Sequence, residues 1–367
     1  MKGVRVSTAR DRKRFVDLPY SLNKGDQSWI APLRGAQCKS LQVQSNRTLR
    51  HCEHQLFLLV DGNNVLGRIS AVVDKHAVKR WGKRVGLFGH LECIDDEAAV
   101  HRLLRSAASY LVGKRCTIMR GPWSFASQEW GLLVEGYSQP PVADTPYNAA
   151  YYAEHLESGG MSKVADLLAY EANARRGFQF LERGVQMTDT AERKYGIRIR
   201  SFDHSRPSEE LELLTGIRER AQNTGWGFSP TIRHETRALR KDTRAQTTIC
   251  IAEDGEGQAV GYCLAAPDRN VLLRGGTGSL FPSLWWKIRS QQDRIQDYRM
   301  WSMAVVPELQ GKSIDALLFR KAYEHLADRS PRIELNALLE DDKRANNAME
   351  RLGLDQIRRY RVFEREL

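Results

Sequence analysis

From Tyr298 the chain runs through an apolar strand, Arg-Met-Trp-Ser-Met-Ala-Val-Val, and the turn Pro307-Glu308-Leu309-Gln310-Gly311-Lys312 into a helix-patterned run that begins at Ser313 and reaches Ala327. A helix start presents unbonded N–H groups and the positive end of the helix dipole, so this strand–turn–helix unit can receive a phosphate. Lys312 adds a cation, and Ser313 is a residue type suited to capping. Asp315 sets an acid beside the same place, unfavourable for an anion unless it points away. Rival signals are weaker. Gly311-Lys312-Ser313 lacks the earlier glycine of an NTP-binding loop, because Val306 stands there. Gly275-Gly276-Thr277-Gly278 reads as a flexible connection. His51, Cys52 and His54 have no second ligand pair at zinc spacing and read as polar surface, so no metal is expected. There is no Gly-x-Ser-x-Gly elbow, and Cys263, in a strand, reads as core.

The elements around that unit fall into two similar sets, as 367 residues require. In the first half Leu56–Val60 and Val65–Val73 flank Asp61-Gly62-Asn63-Asn64, a hairpin signal. A strand at Val85–Cys93 follows, then a helix whose Val100, Leu103, Leu104, Ala107 and Leu111 share a face, then a strand at Cys116–Arg120. Gly121–Tyr147, rich in Trp, Tyr, Pro and Gly, reads either as a functional loop reaching toward a cleft or as an aromatic packing arm. Lys163–Tyr170 is the last strand of this half. The second half has a strand at Ile197–Phe202, a helix at Pro207–Gln222, a Gly225–Pro230 turn and a basic helix at Ile232–Lys241. A hairpin at Thr247–Glu253 and Ala259–Ala266 follows, then the strand Met300–Val306 and the helix from Ser313. A strand at Arg332–Ala337, a helix at Arg344–Leu352 and a strand at Ile357–Glu364 complete it. The duplication lies in element order rather than in residue identity. The expected fold is α/β with mixed (α+β) sheets flanked by helices, in two domains over 1–185 and 186–367.

Bulk properties narrow the setting. The 56 basic and 45 acidic residues leave a net charge of +11, which favours polyanionic partners. No apolar run approaches the roughly 20 residues that span a bilayer, and Met1–Tyr20 is too basic for a signal peptide, so a cytoplasmic protein without stable membrane insertion is expected. Six scattered cysteines suit reduced thiols. Leu284, Trp285, Trp286 and Ile288 beside Lys287 and Arg289 form an apolar patch that could cover a hydrophobic substrate, lie on a membrane surface or pack on the neighbouring domain, with packing preferred because tryptophan is mostly buried.

The second half resembles the GNAT-type N-acetyltransferase superfamily, and the whole chain resembles bacterial proteins with two such domains in tandem. The resemblance rests on the strand ending Val305-Val306-Pro307, the following Gln310, Gly311 and Ile314, and on Asn346-Asn347-Ala348-Met349 before Leu352-Gly353-Leu354. Ser313 and Asp315 depart from it, standing where glycine or another small residue is usual. So does Met349, which occupies the place of the family's proton-donating tyrosine and cannot donate a proton.

The resemblance implies an acyl-CoA-dependent N-acyltransferase with acetyl-CoA or another acyl-CoA as cosubstrate and a small amine or amino-acid-like acceptor. Met303, Ala304, Val305, Val306, Gln310, Gly311, Lys312, Ser313, Ile314, Asp315 and Asn346 are the implied cofactor-binding residues, with N–H groups around Ala304–Val306 polarising the thioester carbonyl. Amine acylation needs a base, and Glu340, Asp341 and Asp268 are the carboxylates near strand ends; Tyr360 or a water could replace the missing acid. Aminoacyl-tRNA or an acidic acyl carrier protein as donor would use the basic surface, and a non-catalytic binding protein of the same fold is a further alternative. The first half has Leu91-Glu92-Cys93-Ile94-Asp95-Asp96 where the phosphate turn should be, acidic and without glycine, and is expected to be a degenerate partner.

Overall fold

The computed structural model describes residues 1–81, 84–125, 130–221, 247–280 and 282–367. The turn expected at Gly225–Pro230 and the basic helix at Ile232–Lys241 lie outside the described residues. The strands are β1 (Lys2–Arg5), β2 (Cys52–Asp61), β3 (Asn64–Asp74), β4 (Val85–Cys93), β5 (Ile118–Gly121), β6 (Leu132–Glu135), β7 (Ser162–Asn173), β8 (Arg198–Ser201), β9 (Thr248–Glu253), β10 (Ala259–Pro267), β11 (Asp297–Val305), β12 (Arg332–Leu339) and β13 (Asp355–Glu366). The α-helices are α1 (Ala9–Leu22), α2 (Arg34–Ser40), α3 (Lys75–Trp81), α4 (Glu97–Gly113), α5 (Tyr151–Ser158), α6 (Glu182–Tyr195), α7 (Pro207–Ala221), α8 (Asn270–Leu273), α9 (Ser283–Gln291), α10 (Ile314–His325) and α11 (Lys343–Leu352).

By compactness the chain divides after Leu167. The first unit holds Met1–Leu167 together with Leu272–Ile288 and Arg358–Leu367, and the second holds Leu168–Val271 and Arg289–Ile357. The division lies ahead of the boundary between 185 and 186 expected from the element order.

In the first unit the sheet runs β1-β2-β3-β4-β5 and then the late part of β13. All neighbours are antiparallel except β4 and β5, which are parallel. The hairpin β2–β3 closes on Gly62, whose positive φ of 54° suits glycine in such a turn. Helix α4 starts where Asp96 accepts the Ala99 N–H at 2.8 Å, and it buries Val100, Leu103, Leu104, Ala107 and Leu111. These pack with Phe57, Ile69, Phe88 and Met119 of the sheet.

The second unit repeats the order as β8-β9-β10-β11-β12, again with one parallel pair, β11 and β12. Here the late part of β7 fills the place after β12. Each sheet is thus completed by a strand from the opposite half of the sequence. Strand periodicity finds β7 and β13 but carries no information on which neighbour they pair with. Helix α10 buries Ile314, Ala316, Leu317, Leu318 and Phe319 against this sheet. Helix α6, in a charged stretch where no helix was expected, ends on Gly196 in the left-handed conformation.

Candidate functional site

The parallel pair in the second unit does not stay paired. Its register runs from Asp297↔Arg332 to Met300↔Leu335 and stops there, although β11 continues to Val305 and β12 to Leu339. On its other edge β11 remains bonded to β10 as far as Val305↔Gly261. The result is a wedge lined on one side by the stretch of β11 that no longer pairs with β12. Val306 N–H is taken by Val260 O at 2.9 Å, so strand alternation aims the backbone groups of Val305 into the wedge. Of the N–H groups expected to polarise a carbonyl, that of Val306 is therefore occupied, and that of Val305 is available.

At the wide end of the wedge the chain turns into α10. Gly311 has φ of 72° and Ser313 φ of 63°, both left-handed. Such a conformation costs serine about 1 kcal/mol that glycine would avoid. Ser313 makes no side-chain cap bond, and among the described residues no backbone carbonyl receives the N–H groups of Gly311, Lys312 or Ser313. These N–H groups stand at the positive end of a twelve-residue helix, while the Asp315 carboxyl accepts from the next ones, the backbone N–H groups of Asp315 and Ala316. Gln310 Nε2 donates to Val305 O at 2.9 Å and braces the turn against the strand. Lys312 Nζ sits 4.9 Å from the Tyr195 ring centre. Arg344 is a cation the sequence reading missed: it is exposed on α11, and a Cβ built on Gly311 would lie 3.0 Å from its Nη1. Asp315, one residue into the helix, has its carboxyl pKa pushed up by burial. The side chain of Ile314 is core, so only its backbone is available to a ligand.

At the narrow end a polar face crosses the sheet, made by alternate residues of three strands. Arg332 donates to Glu334 at 2.9 Å and is bonded to Glu171; Asn336 Nδ2 donates to Glu334 Oε1 at 3.0 Å, and Arg299 Nε to Asn336 Oδ1 at 2.9 Å. Glu334, Glu171, Arg299 and Arg332 are all buried. Burial alone would lower the Arg332 pKa, but Glu334, Glu171 and Asp297 outweigh it and the pKa rises. The pattern Arg332-x-Glu334-x-Asn336 is visible in the sequence as polar residues at period two in an internal strand.

The expected base and acid residues are dispersed. Glu340 and Asp341 lie in the turn after β12. Asp268 follows β10 at the end where Pro267 pairs with Tyr298, seven residues of β11 from Val305 and on the order of 20 Å along the strand. It is buried and accepts the Asn270 N–H at 3.0 Å, which makes it the start of α8 rather than a member of the wedge. Tyr360 is buried in the first unit, opposite Leu133 of β6. The Asn346 amide is used within the fold: Nδ2 donates to Leu339 O at 2.8 Å and to Asp342 O at 2.9 Å, and Oδ1 accepts from Tyr170 at 3.0 Å. Met349 is core. All six cysteines are free thiols. In the first unit His51 pairs with Asp74 at 2.9 Å and stacks on His76, neighbours that sequence spacing around Cys52 and His54 did not indicate.

A mixed sheet with one parallel pair that splays, followed by a glycine turn and a helix at the splayed end, defines the GNAT fold, and this chain carries it in tandem. A tandem GNAT protein from the clavulanic acid biosynthesis pathway superposes with a TM-score of 0.54 at 12% identity, covering 100% of this chain and 98% of that one. A GCN5-related N-acetyltransferase from Sphaerobacter thermophilus superposes with 0.57 at 12% identity over 99% and 95%. No protein-family model matches the sequence. Protein YghO of Escherichia coli (strain K12) is 30% identical over 368 residues, 97% of this chain and 93% of that protein. The bacterial ceramide synthase of Caulobacter vibrioides is 31% identical over 375 residues, 99% and 96%. The chain belongs to the bacterial family that contains these two proteins.

Proposed function

We propose that the protein is an acyl-CoA-dependent N-acyltransferase whose cosubstrate occupies the second unit. The observation that carries this reading is the open wedge leading to an uncapped helix start flanked by Lys312 and Arg344. The N–H groups of Gly311, Lys312 and Ser313 and the two cations suit the coenzyme pyrophosphate. From Val305 back to Trp301, where pairing with β12 has ended, is about 13 Å of strand edge, along which an extended pantetheine arm can bond the backbone. The thioester then lies near the narrow end, beside the polar face.

The acceptor amine attacks the thioester carbonyl carbon, the C–N bond forms as the C–S bond breaks, and coenzyme A leaves as thiolate. Glu334 stands one residue before Leu335, where the pairing of β11 and β12 ends, and takes the amine proton in this reading, with Arg332 and Asn336 holding it in place. A coenzyme thiol with pKa near ~8.5 leaves without a strong acid, which accommodates methionine at 349. The relative named a bacterial ceramide synthase suggests the acceptor class: a ceramide is the fatty amide of a long-chain amino alcohol, so a long-chain amine and a fatty acyl-CoA are favoured over a small polar amine.

Calorimetric titration with acetyl-CoA and with long-chain acyl-CoAs, followed by thiol release in the presence of long-chain and short amines, tests the reading. Binding of an acyl-CoA and amine-dependent thiol release are expected, with Glu334→Gln lowering kcat on the order of 100-fold while acyl-CoA binding is kept. Failure of every acyl-CoA to bind would overturn the cosubstrate assignment, and undiminished kcat in Glu334→Gln would overturn the base.

A further inference from the structure

The segment from Leu272 to α9 does not bury its aromatic residues as expected. Leu284 is buried, but Trp285 is 48% and Trp286 64% exposed, and their rings contact each other edge to face at 5.5 Å. Seven large apolar side chains are exposed among the described residues, and three of them, Leu280, Trp285 and Trp286, fall within seven positions of one another. A concentration of this kind marks an interaction surface, whereas single exposed apolar residues do not.

The segment is firmly held from behind. Arg34 N–H donates to Gly278 O at 3.0 Å, and Arg34 also bonds Thr277 O. Gly278 has φ of 77°, and a Cβ there would stand 2.3 Å from Tyr20 Cε1 and 2.8 Å from Pro32 O, so the close approach needs glycine. With about 100° between successive helical residues, Leu284 and Ile288 share the inner face of α9, and Trp285, Arg289 and Trp286 share the outer one, the arginine lying between the two rings. From 272 to 294 the sequence carries Arg274, Lys287, Arg289 and Arg294 against one acid, Asp293.

Charge decides the occupant. A two-fold contact between copies of this chain would set the basic residues against themselves, whereas an anionic bilayer complements them, and tryptophan settles at the headgroup level of membranes. We propose that α9 and the preceding loop form a peripheral docking surface for an anionic phospholipid bilayer, with Trp285 and Trp286 entering the headgroup layer and Arg289, between them on the same face, meeting lipid phosphates. No helix among the described residues is long and apolar enough to cross a membrane, so attachment is by this surface and reversible. The proposal does not rest on acyl transfer, since it is read without turnover.

The test is co-sedimentation of the full chain with large unilamellar vesicles of phosphatidylcholine containing phosphatidylglycerol, compared with phosphatidylcholine alone. Binding to the anionic vesicles is expected, weakening as sodium chloride is raised. The double variant Trp285→Ser/Trp286→Ser loses roughly tenfold or more in vesicle affinity, with an unchanged melting temperature because both side chains are exposed. Arg289→Gln loses about fivefold. Brominated lipid quenches tryptophan emission in the wild type and no longer does so at the same level in the double variant. Absent binding by the wild type, equal binding by the double variant, or a concentration-dependent dimer that the same substitutions abolish would each overturn the proposal, the last by assigning this face to a second copy.

Discussion

The two units contain the same wedge in two conditions. In the first, the parallel register of β4 and β5 ends at Leu87↔Arg120, six residues before β4 does, so the strands diverge as β11 and β12 do in the second. There the chain fills its own gap. Trp123 N–H donates to Phe88 O at 2.7 Å, and the Trp123 carbonyl lies so near Gly89 that a Cβ would stand 1.6 Å from it. Trp123, Phe125 and Trp130 are buried, with ring centres about the first two 6.1 Å apart, so the start of the 121–147 segment is a packing arm. The hydroxyls of Tyr151 and Tyr152 donate to Cys93 O at 2.7 and 2.9 Å, closing the strand end. The helix beyond is capped by its own Asp96, whose carboxylate accepts the Ala99 N–H at the helix start. In the second unit the wedge has no such plug among the described residues, and the helix start has left-handed Gly311 and Ser313 in place of a side-chain cap. Duplicated topology supplies the gap; occupation by the chain's own residues decides whether a ligand can use it.

Substitutions that exchange the two conditions test this contrast. Gly89→Ala should have the largest effect, because its Cβ would meet backbone rather than a movable side chain: we expect about 3 kcal/mol or more of lost stability in urea denaturation. A stable Gly89→Ala protein would mean that the plug is loose. Gly311→Asp places a carboxylate at the open helix start, in a left-handed conformation, and should weaken acyl-CoA binding on the order of 100-fold by calorimetry. Unchanged affinity would show that the coenzyme binds elsewhere. Arg344→Ala should cost about tenfold in acyl-CoA affinity, as expected for loss of one charge-assisted contact, and should flatten the salt dependence; a purely structural arginine would alter stability and leave the salt slope as it was.

The smallest effect concerns Asp315, whose raised carboxyl pKa makes its ionised form a cost to folding. Because the folded protein holds this proton more tightly than the unfolded chain, stability falls as pH rises through the window above the ordinary carboxylate value. Asp315→Asn should therefore be more stable than the wild type at neutral pH, with the gain fading once pH falls below about 4. An equal gain at both pH values in denaturant titrations would assign it to packing.

Much of this was legible locally. The turn at Asp61–Asn64, the apolar stripe of α4 and the Gly311-Lys312 turn announce themselves within a few residues, since hairpins, caps and helical stripes are set by neighbours at i+1 to i+4. The acidic, glycine-free stretch at Leu91–Asp96 is equally local: Asp96 caps α4 through the Ala99 N–H. The polar face was legible too, in Arg332, Glu334 and Asn336 at period two, whereas Glu340 and Asp341 only adjoin a strand end. A strand's sequence does not say which of its ends lies beside the loop, and antiparallel pairing with β11 places Asp268 at the end away from Val305.

By itself the sequence determined the element order, its repetition, the glycine turn at Gly311–Ser313 and the unsuitability of Met349 as an acid, all properties of short windows and of side-chain chemistry. Only the tertiary structure decided that β7 and β13 complete opposite sheets, that Trp123 closes one wedge while the other has no such plug among the described residues, that Arg344 stands beside Gly311, and that Trp285 and Trp286 face outward. Each of these depends on residues far apart in the chain meeting in space, and strand alternation and apolar periodicity fix which face a residue presents without fixing what lies against it.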